Sequence, residues 1–302
     1  MMQHLTTFLS ILKNPPIFES DDDNESCSEI LDTFTTEEVE EIACTSYAYW
    51  IVSTKIPEQL PELARTNSAL KEIRRFYIGE GKTIAKTIVS LKAALEYRRE
   101  YRVDILRSCF YENENGNMDL SNNYKTLIFQ DLERQPTIVQ GVDSKERIVV
   151  YKPPRRSNPA GADEAFLLTQ LYTSERAIAN AEFQQKEEKL CAIFNFKDYS
   201  SSHSPSTTTM VTLVKVLQTC YPERLGTLTV LEAPFWMRAI INIVWLFLST
   251  ATSEKIQMTS EIPDDLLKPP NDYKLQQMIS HPDQTHVDLK EYTERPFYCV
   301  DE

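Results

Sequence analysis

Between Phe235 and Leu248 the chain places an apolar residue on nearly every helical face, with only Arg238 and Asn242 polar, four apart on one side. The stretch is too apolar for an ordinary surface helix, whose apolar residues occupy one stripe. At 14 residues it is also shorter than the roughly 20 that a helix needs to cross a bilayer. Something else must cover it. Composition alone favours a helix buried on both sides in a large core. The alternative is a lid over an apolar cavity, one face on a bound acyl chain and the other able to touch a membrane.

Length and charge narrow the classes available. A chain of 302 residues with 41% hydrophobic residues has ample material for a buried core, as one large domain or two ordinary ones. Of the formal charge of −13, residues 1–66 carry 13 acids and 3 bases, net −10, which leaves −3 for the remainder. Nucleic acid is not an expected partner, since that requires a concentrated basic face. The acidic N-terminus is a place where a protein partner could be recruited. The six cysteines include no Cys-x-x-Cys pair, and the four histidines have no helical or zinc-ligand spacing. Packed, reduced thiols and no bound metal are expected. Phe8 to Leu12 is a short apolar run without a basic leader or a small-residue cleavage site, so no signal peptide is read there.

Along the chain, Glu19 to Ser26 is too charged to bury and reads as a solvated linker, without the glycine of a calcium loop. Thr36 to about Val52 reads as an N-capped helix with acids in its first turn. Ser68 to Tyr101 repeats apolar residues at steps of three and four and is broken near Gly79 to Thr83, which predicts two helices. Glu112 to Asn123 reads as a polar loop. Strands are expected at Thr137 to Val139 and Ile148 to Tyr151, then a helix over Glu164 to Lys189 and a strand over Leu190 to Phe196. A helix over Thr207 to Thr219, a strand over Leu228 to Leu231, the apolar stretch and a strand over Lys255 to Met258 complete the series. Helices alternating with strands predict an α/β fold, a largely parallel sheet with right-handed crossovers. Residues from Lys274 onward read as a polar peripheral tail.

Enzyme chemistry has no visible home. Gly79-Glu80-Gly81-Lys82-Thr83 has the ending of a phosphate-binding loop, but its first glycine would fall at Phe76 and no strand precedes it. No Gly-x-Ser-x-Gly elbow occurs. No catalytic residue and no cofactor is assigned.

Tyr221-Pro222-Glu223-Arg224-Leu225-Gly226, Ala233-Pro234, the apolar helix and Thr252-x-x-Lys255-Ile256, in this order and spacing, resemble the CRAL-TRIO lipid-binding and lipid-transfer family. Arg75-Phe76-Tyr77 through Ala93 to Arg98 is similar to its helical N-terminal lobe, and Asp143 to Arg147 to the first hairpin of its lipid-binding lobe. The resemblance covers about residues 68–270. It implies a helical lobe over 67–125 and a CRAL-TRIO lobe over 126–273 with a hydrophobic ligand cavity, and charge and composition add an acidic extension over 1–66, partly disordered with one or two helices, and a polar tail over 274–302. It further implies a phospholipid or other hydrophobic small molecule as ligand, transient contact with a membrane surface, and a cytoplasmic location. Phe235, Met237, Ile240, Ile241, Val244, Trp245, Phe247 and Leu248 would form gate and cavity. Glu223, Thr252 and Lys255 match the residues that hold the inositol phosphate in the phosphatidylinositol-transferring branch, the lysine and hydroxyl donating to phosphate while the carboxylate accepts. Glu223 and Arg224 could equally cap the preceding helix. The family's Arg-Phe-Leu-Arg-Ala-Arg-Lys is here Arg75-Phe76-Tyr77-Ile78-Gly79-Glu80-Gly81, so its basic pair becomes Glu80 and Gly81, and a carboxylate repels a nearby phosphate. Lys82 stands one residue late. A lipid carrier gated by residues 235–248 is therefore expected, and a non-transferring interaction module with a filled pocket is the other reading the residues allow.

Overall fold

Ser20, Thr35 and Ser46 each accept a hydrogen bond from the backbone N–H three residues on, at 3.2, 3.2 and 3.3 Å. Each thereby starts a helix, because the first amides of a helix have no partner within it. In this computed structural model, which describes residues 2–110, 118–246, 248–263, 273–282 and 287–299, these caps divide the acidic N-terminus into helices. They are α1 (Met2–Leu12), α2 (Asp21–Leu31), α3 (Thr36–Ala43) and α4 (Tyr47–Lys55). The segment read as a solvated linker is thus helical from Asp21. Asp21, Asp22 and Asp23 sit in its first turn, where the helix dipole favours them, while Cys27 and Ile30 are buried one turn apart. The single helix expected from Thr36 is two, because Ser46 caps a new start. The break expected near Gly79 separates α5 (Ala64–Gly79) from α6 (Ile84–Glu100), with Gly81 and Lys82 at positive φ of 62° and 58°.

These helices, with residues 182–185 and 219–223, form one compact unit. Phe8 stacks within 5.3 Å of Phe183 and 5.6 Å of Tyr47, ring centroid to centroid. The Glu182 carboxylate accepts from the Ala48 N–H at 2.8 Å and the Ser46 hydroxyl at 3.1 Å.

Residues 101–181, 186–218 and 224–302 form the second unit. It contains α7 (Val103–Ser108), α8 (Met118–Arg134), β1 (Ile138–Val142), β2 (Arg147–Lys152), α9 (Asp163–Phe183), β3 (Glu187–Asn195) and α10 (Thr207–Cys220). These are followed by β4 (Leu225–Leu231), α11 (Met237–Trp245), α12 (Thr250–Ser253), β5 (Ile256–Thr259), α13 (Tyr273–Ser280) and α14 (Leu289–Glu294). The polar loop expected to Asn123 is already helix from Met118, because Tyr124, Ile128 and Leu132 bury one stripe at four-residue steps; residues 111–117 lie outside the described residues. The helix expected to reach Lys189 ends at Phe183. Gln185 takes φ 51° and the Lys186 N–H turns back to the Ala181 carbonyl at 2.9 Å, which closes the helix and frees Glu187 for the strand.

The sheet order is β1-β2-β3-β4-β5, with β1 antiparallel to β2 and every later pair parallel. Neighbours in register share a face, and faces alternate along each strand. One face carries Val149, Tyr151, Cys191, Ile193 and Thr229, all 1% exposed or less. The other carries Val150, Ala192, Phe194, Leu228 and Ile256, which are half-buried, Met258, which is exposed, and Val139 and Val230, which are buried. Right-handed crossovers between strands in this order put α9, α10 and α11 on a common face. Phe166 of α9 lies 4.7 Å from Lys152 Nζ, itself on the half-buried face.

The C-terminal segment, expected as a peripheral tail, enters the core of this unit. Leu275, Met278, Ile279 and Phe297 are buried. Its carbonyls satisfy buried donors: Met278 accepts from Tyr151 Oη at 3.0 Å, Ile279 from Asn195 Nδ2 at 3.1 Å, and Tyr292 from Arg176 Nη2 at 2.8 Å. A polar composition hides this role, because the contribution comes largely from backbone groups.

The hairpin between β1 and β2 is held by Asp143, which accepts from the Lys145 and Arg147 amides, both at 2.9 Å, and from Arg147 Nε at 2.7 Å. Arg147 Nη1 donates on to Thr227 at 2.8 Å, and a Cβ on Gly226 would come within 2.6 Å of that nitrogen. Gly226 therefore makes room for the guanidinium. Asp143→Ala leaves a buried arginine without its carboxylate and should cost about 3–5 kcal/mol in urea unfolding. A loss below about 1 kcal/mol would show that the pair is a surface-like one.

Candidate functional site

The half-buried sheet face continues into the helices beside it. On α10, Met210, Val214 and Leu217 are half-buried at helical steps, and on α11 Ile241 and Val244 share one side in the same state, as does Leu248 beyond the helix end in burial alone. Apolar side chains of three elements are thus neither sealed in a core nor left singly on a surface.

The apolar stretch is helical only from Met237 to Trp245. Its start is anchored: Met237 is buried, and Trp236 stacks on Tyr199 with centroids 5.7 Å apart and planes 20° apart. Beyond the anchor its outer side faces water, with Ile243 41%, Trp245 36% and Leu246 81% exposed. Phe235 is 86% exposed and faces outward rather than into a cavity. The side chains of Ile240 and Phe247 fall outside the described residues. No helix among the described residues is long and apolar enough to cross a membrane.

The three headgroup candidates are distributed over both units. Glu223 belongs to the first, at φ 56°, where the absent side chain of Gly79 allows close approach: a Cβ there would lie 3.2 Å from Pro222 Cβ and 3.9 Å from Glu223 Cγ. Thr252 and Lys255 belong to the second and are one turn apart, the Lys255 N–H donating to the Thr252 carbonyl at 3.1 Å. The Thr252 hydroxyl pairs with Ser249 Oγ at 2.9 Å, and the Ser249 oxygen caps α12 through the Thr252 amide. Arg224 is buried and donates to the Glu188 carbonyl at 3.3 Å. Of the residues where the family has its basic pair, Glu80 accepts from Ser90 at 2.6 Å. Lys82 is held by Asp23 at 2.8 Å and Glu19 at 3.4 Å, which hold its pKa above the ordinary value and engage it in a local ion pair.

Sequence reasoning missed one functional-looking element. Lys152, the last residue of β2, is 6% exposed and lies over two rings, Phe166 and Phe194, each 4.7 Å from Nζ. Its ammonium donates to Gln170 Oε1 at 2.6 Å. The alternation that puts Lys152 on the face of Val150 was readable, but a strand-terminal lysine normally extends into water. A cavity of about 250 Å³ also opens beyond the carboxyl ends of β2 and β3, lined by Arg155, Arg156, Lys197, Asp198 and His203 among others. Pro136, Tyr151, Pro153, Met278 and Val287 make the rest of its lining largely apolar. No group of residues that could hold a metal ion occurs among the described residues. The thiols of Cys27 and Cys109 are pushed up to about 11 and about 12 by burial, so they are unreactive packing groups.

An open, mostly parallel sheet with one face sealed and the other lined by half-buried apolar side chains is the architecture of a small-molecule binding domain. Residues 132–280 match the CRAL/TRIO domain, and the chain belongs to that family, whose members bind lipids or other hydrophobic small molecules. The crystal structure of Sfh5 is similar in fold, with a TM-score of 0.53 at 12% identity, covering 81% of this chain and 82% of that one. No curated protein matches the sequence.

Burial depresses the Lys152 pKa to about 7, against the attraction of Asp131 and together with the repulsion of Arg155. The unfolded chain then binds a proton that the folded one has lost between about pH 7 and 10.5, so stability rises with pH across that window. Below it, the lysine is charged in both states and its burial penalty is fully present. Lys152→Met should therefore stabilise the unliganded protein at neutral pH and below, the gain shrinking by up to about 1.4 kcal/mol per unit as pH rises above 7. Urea unfolding from pH 6 to 10 checks the slope.

Proposed function

We propose that this protein binds one phospholipid or other hydrophobic ligand over the half-buried sheet face and carries it between membranes, with residues 235–248 as the gate. The observation that carries this reading is the state of α11 and the residues after it: an anchored start, Ile241 and Val244 half-covered on its inner side, Ile243 in water on its outer side, and beyond its end Leu246 exposed and Leu248 half-covered. A core helix would bury these residues. Moving an exposed Leu or Ile into an apolar phase gains about 1.5–3 kcal/mol each, enough for transient membrane contact and not for permanent insertion. Burial of the ligand's chain gains about 0.8 kcal/mol per methylene, which offsets extraction from the bilayer when the cavity is equally dry.

Thr252 and Lys255, one turn apart in the second unit, are the proposed headgroup contacts, and Lys82 is not, since Asp23 and Glu19 already hold it. Phosphatidylinositol stays one option among phospholipids. The activity is carriage rather than catalysis.

Native mass spectrometry of freshly purified protein should show one co-purifying lipid, and labelled phospholipid should exchange between vesicles. Finding neither overturns the proposal. Ile243→Asp should abolish exchange while changing unfolding stability by no more than about 0.5 kcal/mol, because the position is exposed. Loss of folding would instead identify α11 as core.

A further inference from the structure

The buried end of the half-buried face carries one more positive charge than negative. Lys152 and Gln170 are 6% and 7% exposed, and the Lys152 ammonium has Gln170 Oε1 as its hydrogen-bond acceptor among the described residues, with the two rings beside it. Asp131 and Arg155, the charged groups that act on it, pair with each other at 2.6 Å and are both fully buried, so with Lys152 the cluster carries one net positive charge. Gln170 Nε2 is buried and has no hydrogen-bond partner among the described residues. Two kinds of donor, an ammonium and an amide N–H, thus lie side by side where the apolar face ends. Donors in such a place are costly unless an acceptor reaches them.

We propose that Lys152 and Gln170 hold the terminal carboxylate of a long-chain hydrophobic ligand whose hydrocarbon lies along Phe194, Val150 and the rest of that face. This rests on the reading of the face as the ligand site. Charge complementarity selects the occupant: an acceptor-only group with two oxygens satisfies both donors and supplies the missing charge. The depth of the donors requires that the group arrive as the end of an apolar chain. A carboxylate has nothing beyond it to accommodate, unlike a phosphodiester bearing a headgroup.

The test compares cis-parinaric acid, a fluorescent fatty acid, with its methyl ester on the intact protein. At pH near 7 the acid should bind at least about tenfold more tightly than the ester, as expected for a charge-assisted pair in a buried site. Lys152→Met should bring the two within about threefold while ester binding persists, and Gln170→Leu should weaken the acid alone. The acid's advantage should fall as pH rises from about 7 to 9, because the free ammonium, whose charged neighbours are Asp131 and Arg155, deprotonates over that range. Equal affinity of acid and ester in the wild-type protein, which needs no variant to fold, overturns the carboxylate anchor and leaves the hydrophobic site standing. Undiminished preference in Lys152→Met also overturns it. Failure of both probes to bind overturns the site and the anchor together.

Discussion

A parallel sheet must be covered on both faces, and in the C-terminal unit the protein's own side chains close over one face and only part of the other, where Val139 and Val230 are buried. Val149, Tyr151, Ile193 and Thr229 are closed over, whereas Val150, Phe194, Leu228 and Ile256 are left half-covered. This asymmetry gives the remaining features their meaning. Helices α10 and α11 keep apolar residues half-buried, and α11 exposes Ile243 and Trp245 besides, the pattern from which the gate is proposed. Family membership over residues 132–280 agrees with a face built for a hydrophobic occupant.

The sealed face is secured by polar chemistry. Tyr151, Asn195 and Arg176 each spend a donor on a carbonyl of the C-terminal segment. Asp143, Arg147 and Thr227 tie the first hairpin to β4, in the space left by Gly226. Each of these groups would be a liability if left alone. Paired, they fix the strand register, and register decides which side chains reach the open face.

Much of this organisation was legible. The strands, the break before α6 and the order of the flanks around residues 235–248 follow from periodicity, glycine positions and motif spacing. Where the reading slipped, the cause is local and physical. Acidic residues at 21–23 look unburiable, yet capped by Ser20 they open a helix. Residues 118–134 look polar, yet one stripe of them is core. Gln185, not a glycine or proline, ends α9 in a left-handed turn.

The sequence by itself determined the fold class, the apolar segment proposed as the gate and the departure at Glu80 and Gly81, because these depend on residue type and spacing along the chain. Tertiary structure alone decided that Lys82 is consumed by Asp23 and Glu19, that the outer side of α11 is open, and that Lys152 ends buried between two rings beside an unsatisfied amide. The reason is that the cost of a charge and the cover of an apolar residue are set by neighbours distant in sequence. A lysine at the end of a strand is ordinary until Phe166 and Gln170 arrive from the next helix to close over it.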